Sequence, residues 1–243
     1  MIILSLITVF ITFVSSLFGA GILVFGTPLM MLSGLTFLEA SAFLYPLSFC
    51  ISLKIVVQNR HILKNEPMVQ SFLIFTLPLV LIFSFLSFSL KSPAAIKLIV
   101  SLFLLFAALL RLKTNNHERF AHFINSIGKA TYLILGIVQG FSNMGATILF
   151  PFVGSKDFSK SKSRAIIAFC FVIFTTVQMF VLFLIKKQTF PLSAIFLILL
   201  GFFTSEFCER YFFHQMANKL YFHLLTVLMF CISFILLFQY IFA

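Results

Sequence analysis

Long apolar runs follow one another along this chain, and short polar loops separate them. The runs at 98–110 and 220–243 do not alternate apolar and polar residues, as the strands of a membrane barrel would. Only 9% of the residues are charged, against about 25% in a soluble domain. Several runs approach the roughly 20 residues that a helix needs to cross the hydrocarbon core. The sequence therefore predicts an all-α, multi-pass integral membrane protein.

The basic residues indicate contact with lipid rather than with nucleic acid. The formal net charge is +11, and the basic residues lie mostly in the loops between apolar runs. In such loops they set the orientation of membrane helices and meet anionic headgroups. The N-terminal run resembles a signal peptide with a cleavage site at Ala20. It lacks a basic start and stays apolar beyond that residue, so we expect it to be retained.

The order of the apolar segments repeats once. The first half contains segments 2–35, 38–57, 68–90 and 94–112, and the second contains 130–154, 165–185, 190–207 and 220–243. The longest polar stretch, 113–129, lies between them. We therefore predict a first membrane repeat at 1–112, a cytoplasmic linker at 113–129 and a second membrane repeat at 130–243. Each repeat is predicted to hold one broken helical segment and three transmembrane helices.

Glycine and small polar residues interrupt the first segment of each half. In hydrocarbon the backbone groups freed by such a break need partners, so a broken helix is expected only inside protein or beside a polar cavity. Two interrupted segments at corresponding places are typical of a transporter binding site. Close helix packing is the alternative explanation for the glycines. The residues in and beside the two breaks are Gly19, Gly21, Thr27, Pro28, Gln139, Ser142, Asn143, Gly145, Thr147 and Pro151.

Charge placement favours broken segments that enter and leave the membrane on one side. If both segments crossed, eight basic loop residues would lie on each face, with Lys54 set aside. If both are re-entrant, the distribution is twelve against four, and an excess of Lys and Arg marks the cytoplasmic face. We therefore predict inverted repeats with both termini outside. The four on the other face are Lys91, Lys97, Lys186 and Lys187.

Few residues inside the apolar segments can carry chemistry. For Lys54 we favour a side chain that snorkels to the interface over a functional charge. For Glu206 and Glu209 we favour a helix end paired with Arg210 over a proton relay. Glu39 suits a helix N-terminus. The four cysteines show no metal-binding spacing, and they are expected to be buried free thiols.

No catalytic sequence pattern is present. The sequence has no H-E-x-x-H, G-x-S-x-G or Walker pattern, each of which would mark a specific chemistry. We therefore expect neither an enzyme nor an ATPase, and no metal or cofactor. The broken helices point to a different role, because a helix N-terminus inside the membrane presents free N–H groups and a partial positive charge that suit an anion.

The sequence resembles the sulfite exporter TauE/SafE family of bacterial membrane transporters. The resemblance lies in FGAGILVFGTPLMMLSGLTFLEASAF at 18–43 and, more weakly, in GFSNMGATILFPFVG and SKSRAIIAF within 140–169. It implies a multi-pass protein of the bacterial inner membrane that transports small anions, often sulfur-containing ones such as sulfite or organosulfonates.

We therefore predict a secondary transporter for a small, sulfur-containing anion, with its binding site between the two breaks. A passive anion channel and a membrane assembly protein without transport are the alternatives. The partners expected are an anionic solute and membrane lipids, and the oligomeric state stays open.

Overall fold

The helices of this protein follow the predicted segments closely. The computed structural model describes residues 2–18, 21–63, 66–90, 98–102, 105, 109, 127–156, 158–186, 192–211, 230–231, 234–235 and 237–238. Within these ranges the chain is helical and contains no strand, which confirms the all-α class. The helices are α1 (Ile2–Phe18), α2 (Ile22–Leu32), α3 (Phe37–Gln58), α4 (Arg60–Leu63), α5 (Pro67–Ser71), α6 (Leu77–Ser89), α7 (Ala130–Ser142), α8 (Ala146–Gly154), α9 (Lys160–Lys186) and α10 (Leu192–Tyr211).

Three stretches among the described helices are long and apolar enough to cross a membrane. They are Phe37–Gln58, Pro67–Ser89 and Ser161–Ile185, with mean hydropathies of 1.7, 2.3 and 2.5. Large apolar side chains such as Ile82, Phe183 and Phe203 are exposed on their outer faces and on α10, as expected for helices surrounded by lipid. Most of the predicted segments 94–112 and 220–243, and of the linker 113–129, lies outside the described residues.

The start of α3 is fixed by a capping box. Thr36 Oγ1 accepts a hydrogen bond from the backbone N–H of Glu39 at 3.3 Å, and Glu39 Oε2 accepts one from the backbone N–H of Thr36 at 2.8 Å. Each side chain thereby satisfies a backbone donor that the first helical turn leaves free. The expected place of Glu39 at a helix N-terminus is confirmed.

A π turn at Phe72–Thr76 joins α5 to α6 without ending the helix. Pro78 lies just after it and lacks the N–H that would bond to a preceding carbonyl, and its ring crowds the carbonyl four residues earlier. In the wider turn the N–H of Leu77 bonds instead to the carbonyl of Phe72, five residues back. The helix therefore accommodates Pro78 by a local widening.

Among the described helices, the two halves of the sequence pack closely against each other. The most extensive helix contacts pair α3 with α9, α6 with α7, and α1 with α10, and each pair joins the first half to the second. Glycine allows the close approach of α7 to α6. A Cβ at Gly136 would lie 2.7 Å, and one at Gly140 2.8 Å, from a carbonyl oxygen of the helix that begins at Pro67. Close packing therefore explains these two glycines.

The packed core lies where α2, α3 and α9 meet. Its largest fully buried side chains include Phe25, Tyr45, Phe171 and Phe174. The rings of Phe72 and Phe174 are 4.9 Å apart between centroids, a distance at which aromatic pairs attract. A mostly apolar core of this kind makes the polar groups within it conspicuous.

Candidate functional site

Both predicted helix breaks are present. The first separates α1 from α2, and Gly21 there adopts φ 140, a conformation that residues with a side chain rarely adopt. Gly19 lies outside the described residues. The second break separates α7 from α8, and Asn143 there adopts the left-handed conformation with φ 64. Asparagine is one of the few residues other than glycine that enter this region readily.

Asn143 is the centre of a buried hydrogen-bond network between the two halves. Its side-chain Nδ2 donates to Thr27 Oγ1 and to Ser41 Oγ, each at 3.3 Å. Its Oδ1 accepts from Tyr45 Oη and from Gln178 Nε2, each at 2.9 Å. All five side chains are fully buried. The amide of Asn143 thus uses both of its donors and both acceptor positions.

Gln139 and Gln178 extend this network along the second break. Gln139 Nε2 donates to Gln178 Oε1 at 2.9 Å, and Gln178 Nε2 also reaches the backbone oxygen of Gln139 at 3.2 Å. Gln139 Oε1 accepts from the backbone N–H of Gly145 at 3.0 Å. A backbone donor that the break leaves without a helical partner is therefore satisfied by a side chain inside the protein, as the apolar surroundings require.

The structure brings together only some of the predicted site residues. Thr27, Gln139, Asn143 and Gly145 lie in the network. The hydroxyls of Ser142 and Thr147 instead bond to backbone carbonyls of their own segment, each at 2.7 Å. Pro28 and Pro151 are buried inside α2 and α8. Gly21 lies apart from the network and borders a small polar cavity.

The network is neutral, and its hydrogen bonds are made among its own members. An anion could engage Asn143 only by replacing one of the four bonds that its amide already makes. Because an unpaired polar group is costly in such surroundings, the network holds the second break and the adjoining parts of α2, α3 and α9 in one arrangement. Any rearrangement at the break must exchange these bonds for others.

A separate charged cluster joins α3, α9 and α10. Lys54 pairs with Glu206, and its Nζ lies 3.0 Å from Glu209 Oε2. Arg164 Nη1 lies 2.6 Å from Glu209 Oε1. The favoured expectations were wrong here, because the carboxylates reach Lys54 and Arg164 on other helices rather than the adjacent Arg210. The side chain of Lys54 is only 12% exposed, so it is held between helices and does not snorkel freely.

Comparison with known families decides the identity of the fold. A family model described as sulfite exporter TauE/SafE matches residues 4–236. The chain belongs to the TauE/SafE family. No curated protein and no solved structure matches the chain. Membership confirms the resemblance seen in the sequence and, with the apolar helices, makes this an integral membrane protein of a transporter family.

Family membership agrees with the expectation that the chain is not an enzyme, since TauE/SafE proteins are described as exporters. Within the described part of the chain, no group of three or more His, Cys, Asp or Glu residues could hold a metal ion. All four cysteines are free thiols. Cys170 and Cys208 are buried as expected, but Cys50 is half-buried and Cys231 is exposed.

Sequence reasoning missed three members of the Asn143 network in this TauE/SafE chain. They are Ser41, Tyr45 and Gln178, which lie in α3 and α9. Two signals were available. Ser41 and Tyr45 are four residues apart and so share a helix face, and Gln178 is an amide deep within a long apolar run. Neither signal indicates that the three side chains meet, because that depends on how α3 and α9 pack.

Proposed function

We propose that this TauE/SafE protein is a secondary transporter that carries a small, sulfur-containing anion across the bacterial inner membrane. One observation carries the proposal. The polar residues of the second break are joined, in a mostly apolar interior, to Thr27 beyond the first break and to α3 and α9. Polar groups inside membrane proteins are costly and typically mark substrate pathways.

The transport cycle that we propose moves the two halves against each other around the breaks. Gln139, Asn143 and Gly145 line the route together with Thr27, and the anion replaces internal hydrogen bonds as it passes. Gly19, Ser142, Thr147 and the two prolines then act by shaping the breaks. Alternating access around discontinuous helices is the usual mechanism of transporters built in this way.

The packing of the helices supports the proposed pair of repeats, 1–112 and 130–243. If each helix is replaced by its counterpart in the other half, the contact between α1 and α10 becomes the contact between α7 and the helix that contains α6. The contact between α3 and α9 becomes itself. This is the pattern expected of two repeats related by a two-fold axis. With the twelve-to-four charge distribution, it favours inverted repeats with re-entrant breaks and external termini.

Uptake into proteoliposomes tests the proposal directly. The purified protein should take up sulfite, thiosulfate or a sulfonate with saturation kinetics that depend on an imposed ion gradient. Asn143→Leu should abolish this uptake, because leucine can make none of the four side-chain hydrogen bonds. Linear, gradient-independent flux would indicate a passive channel instead, and the absence of flux for all of these solutes would favour an assembly role.

Asn59→Leu is the matched control. Asn59 follows the end of α3, and its side chain bonds only to the carbonyl of Ile55 in its own helix at 2.9 Å. Uptake should survive this change. Size-exclusion chromatography and thermal unfolding would establish that both variants are folded. Normal uptake by a folded Asn143→Leu protein would show that the network has a structural role only.

A further inference from the structure

A small cavity beside the first helix break is lined by hydroxyl groups from three helices. It is separate from the Asn143 network, and its wall includes Gly21, Ile22 and Arg164. In this conformation the cavity has room for about one water molecule. The hydroxyls belong to Ser15 and Ser16 of α1, Ser48 and Ser52 of α3, and Ser205 of α10.

Four of these hydroxyls are buried and available to a ligand. Ser15, Ser48, Ser52 and Ser205 are 3%, 2%, 7% and 2% exposed. None of the four takes part in a hydrogen bond within the described ranges of the chain, whereas Ser16 donates to the carbonyl of Thr12 at 2.7 Å. Leaving a buried hydroxyl without a partner is unfavourable. A bound oxyanion would satisfy these converging hydroxyls, because its oxygens would accept their hydrogen bonds.

The cavity wall also contains two sources of positive charge. The N-terminus of α2 lies in its wall, and the first turn of this helix has no side-chain cap. Its free N–H groups therefore add a partial positive charge. Arg164 adds a full charge and a planar set of donors that suits sulfonate or sulfite oxygens. The hydroxyls, the helix terminus and the guanidinium belong to five different helices and line one cavity.

Glu209 already engages one of the hydrogen-bond donors of Arg164. Its Oε1 lies 2.6 Å from Arg164 Nη1. Ser205 lies one turn earlier on α10 and so shares the face of Glu209. The other charges at Glu209 are Lys54 of α3 and, on α10 itself, Glu206 and Arg210. Lys54 can keep Glu209 neutralised when Arg164 turns to another anion.

We propose that this serine-lined cavity binds the transported anion and that Glu209 competes with the anion for Arg164. The proposal rests on the proposed transport function and names its binding site. Entry of the anion replaces the Arg164–Glu209 contact, which links α9 to α10, and leaves Glu209 with Lys54. Release of α10 from α9 widens the narrow cavity. Substrate binding is thereby coupled to a movement between helices of one half.

Binding of methanesulfonate and sulfite to the purified full-length protein tests this site. Calorimetry should show that Ser48→Ala weakens binding by about three- to tenfold, the effect of one lost hydrogen bond. Arg164→Gln should weaken it by more than about tenfold. Glu209→Gln should tighten it about tenfold, because no charge-assisted bond has to be broken first.

Ser84→Ala is the matched control for Ser48→Ala. Ser84 is a buried serine of α6 whose hydroxyl has no partner among the described residues and does not line the cavity. It should leave the affinity unchanged. Equal affinities for the wild type, Ser48→Ala and Arg164→Gln would overturn the cavity as the site. Unchanged or weaker binding by Glu209→Gln would overturn the competition.

The outcomes separate this site from the transport function. Normal uptake by liposomes that contain the Ser48→Ala or the Arg164→Gln protein would support the transport function and contradict the cavity as the binding site. Binding with the expected pattern but without flux would support the anion site and contradict secondary transport. Failure of the wild type to bind either probe would overturn the site, because its affinity for this class of anion is the claim.

Discussion

Asn143 meets two structural demands that few residues can meet together. Its backbone takes the left-handed conformation that ends α7, and its amide supplies two donors and two acceptors to four other side chains. Glycine could satisfy the first demand but not the second. Alanine could satisfy neither. The two requirements can therefore be separated by substitution at this single position.

We expect Asn143→Ala to be less stable than Asn143→Gly. Both variants lose the same hydrogen bonds, but alanine must also adopt the left-handed conformation, at about 1–2 kcal/mol. Thermal unfolding in detergent would measure the difference. In an ordinary helix the order is the reverse, since glycine there is less stable than alanine by about 1 kcal/mol. Finding that usual order would mean that the backbone at the break is not constrained as described.

At the scale of helices, the sequence predicts the broken segments well. The weak point expected at 18–21 is the end of α1, and the one expected at 142–145 is the end of α7. Gly26 and Pro28 do not break the helix, because α2 continues through both. A Cβ at Gly26 would lie 2.6 Å from Leu44 Cδ2, so this glycine allows α2 to approach α3.

The partners of the polar side chains could not be predicted from the sequence. Thr27, Ser41 and Gln178 lie in different helices, and which of their faces meet depends on how those helices rotate about their axes. The same limit explains the error at Glu209. Only residues three or four positions away are visible as neighbours from sequence spacing, whereas Lys54 and Arg164 come from α3 and α9.

Substitution of Gly21 tests the first break as an element of the transport mechanism. Gly21→Ala places a side chain at φ 140, which costs about 1–3 kcal/mol. It should also disturb the start of α2 in the cavity wall, so uptake should fall along with thermal stability.

Gly34→Ala is the control for this strain. Gly34 also has positive φ, 97, but it lies in the exposed turn after α2, and nothing lies within 4 Å of the added Cβ. We expect a comparable loss of stability with uptake retained. If both variants lost uptake equally, general strain would account for the result, and the first break would have no special part in transport.

At the scale of the whole molecule, the most extensive helix contacts among the described residues join one half to the other. The α3–α9, α6–α7 and α1–α10 pairs all cross between the halves. Each half therefore buries apolar surface against the other, although the polar stretch 113–129 lies between them in the sequence.

Two chains cut within 113–129 should therefore assemble when they are expressed together. A tag on the first half should retain the second half during purification in mild detergent, because the helix pairs above need no covalent link. Each half expressed alone should be degraded or aggregate. Stable, separately purified halves that do not associate would contradict this picture of the packing.

The π turn at Phe72–Thr76 is a position at which the helix containing α5 and α6 could lose one residue without losing its packing. A turn closed five residues back holds one residue more than a regular helical turn. Deleting one residue here would restore a continuous α-helix and leave α5 and α6 presenting the same faces to their neighbours. Deleting one elsewhere in the helix would rotate everything beyond it by about 100°. Phe72–Thr76 is thus a place where this membrane helix carries a spare residue.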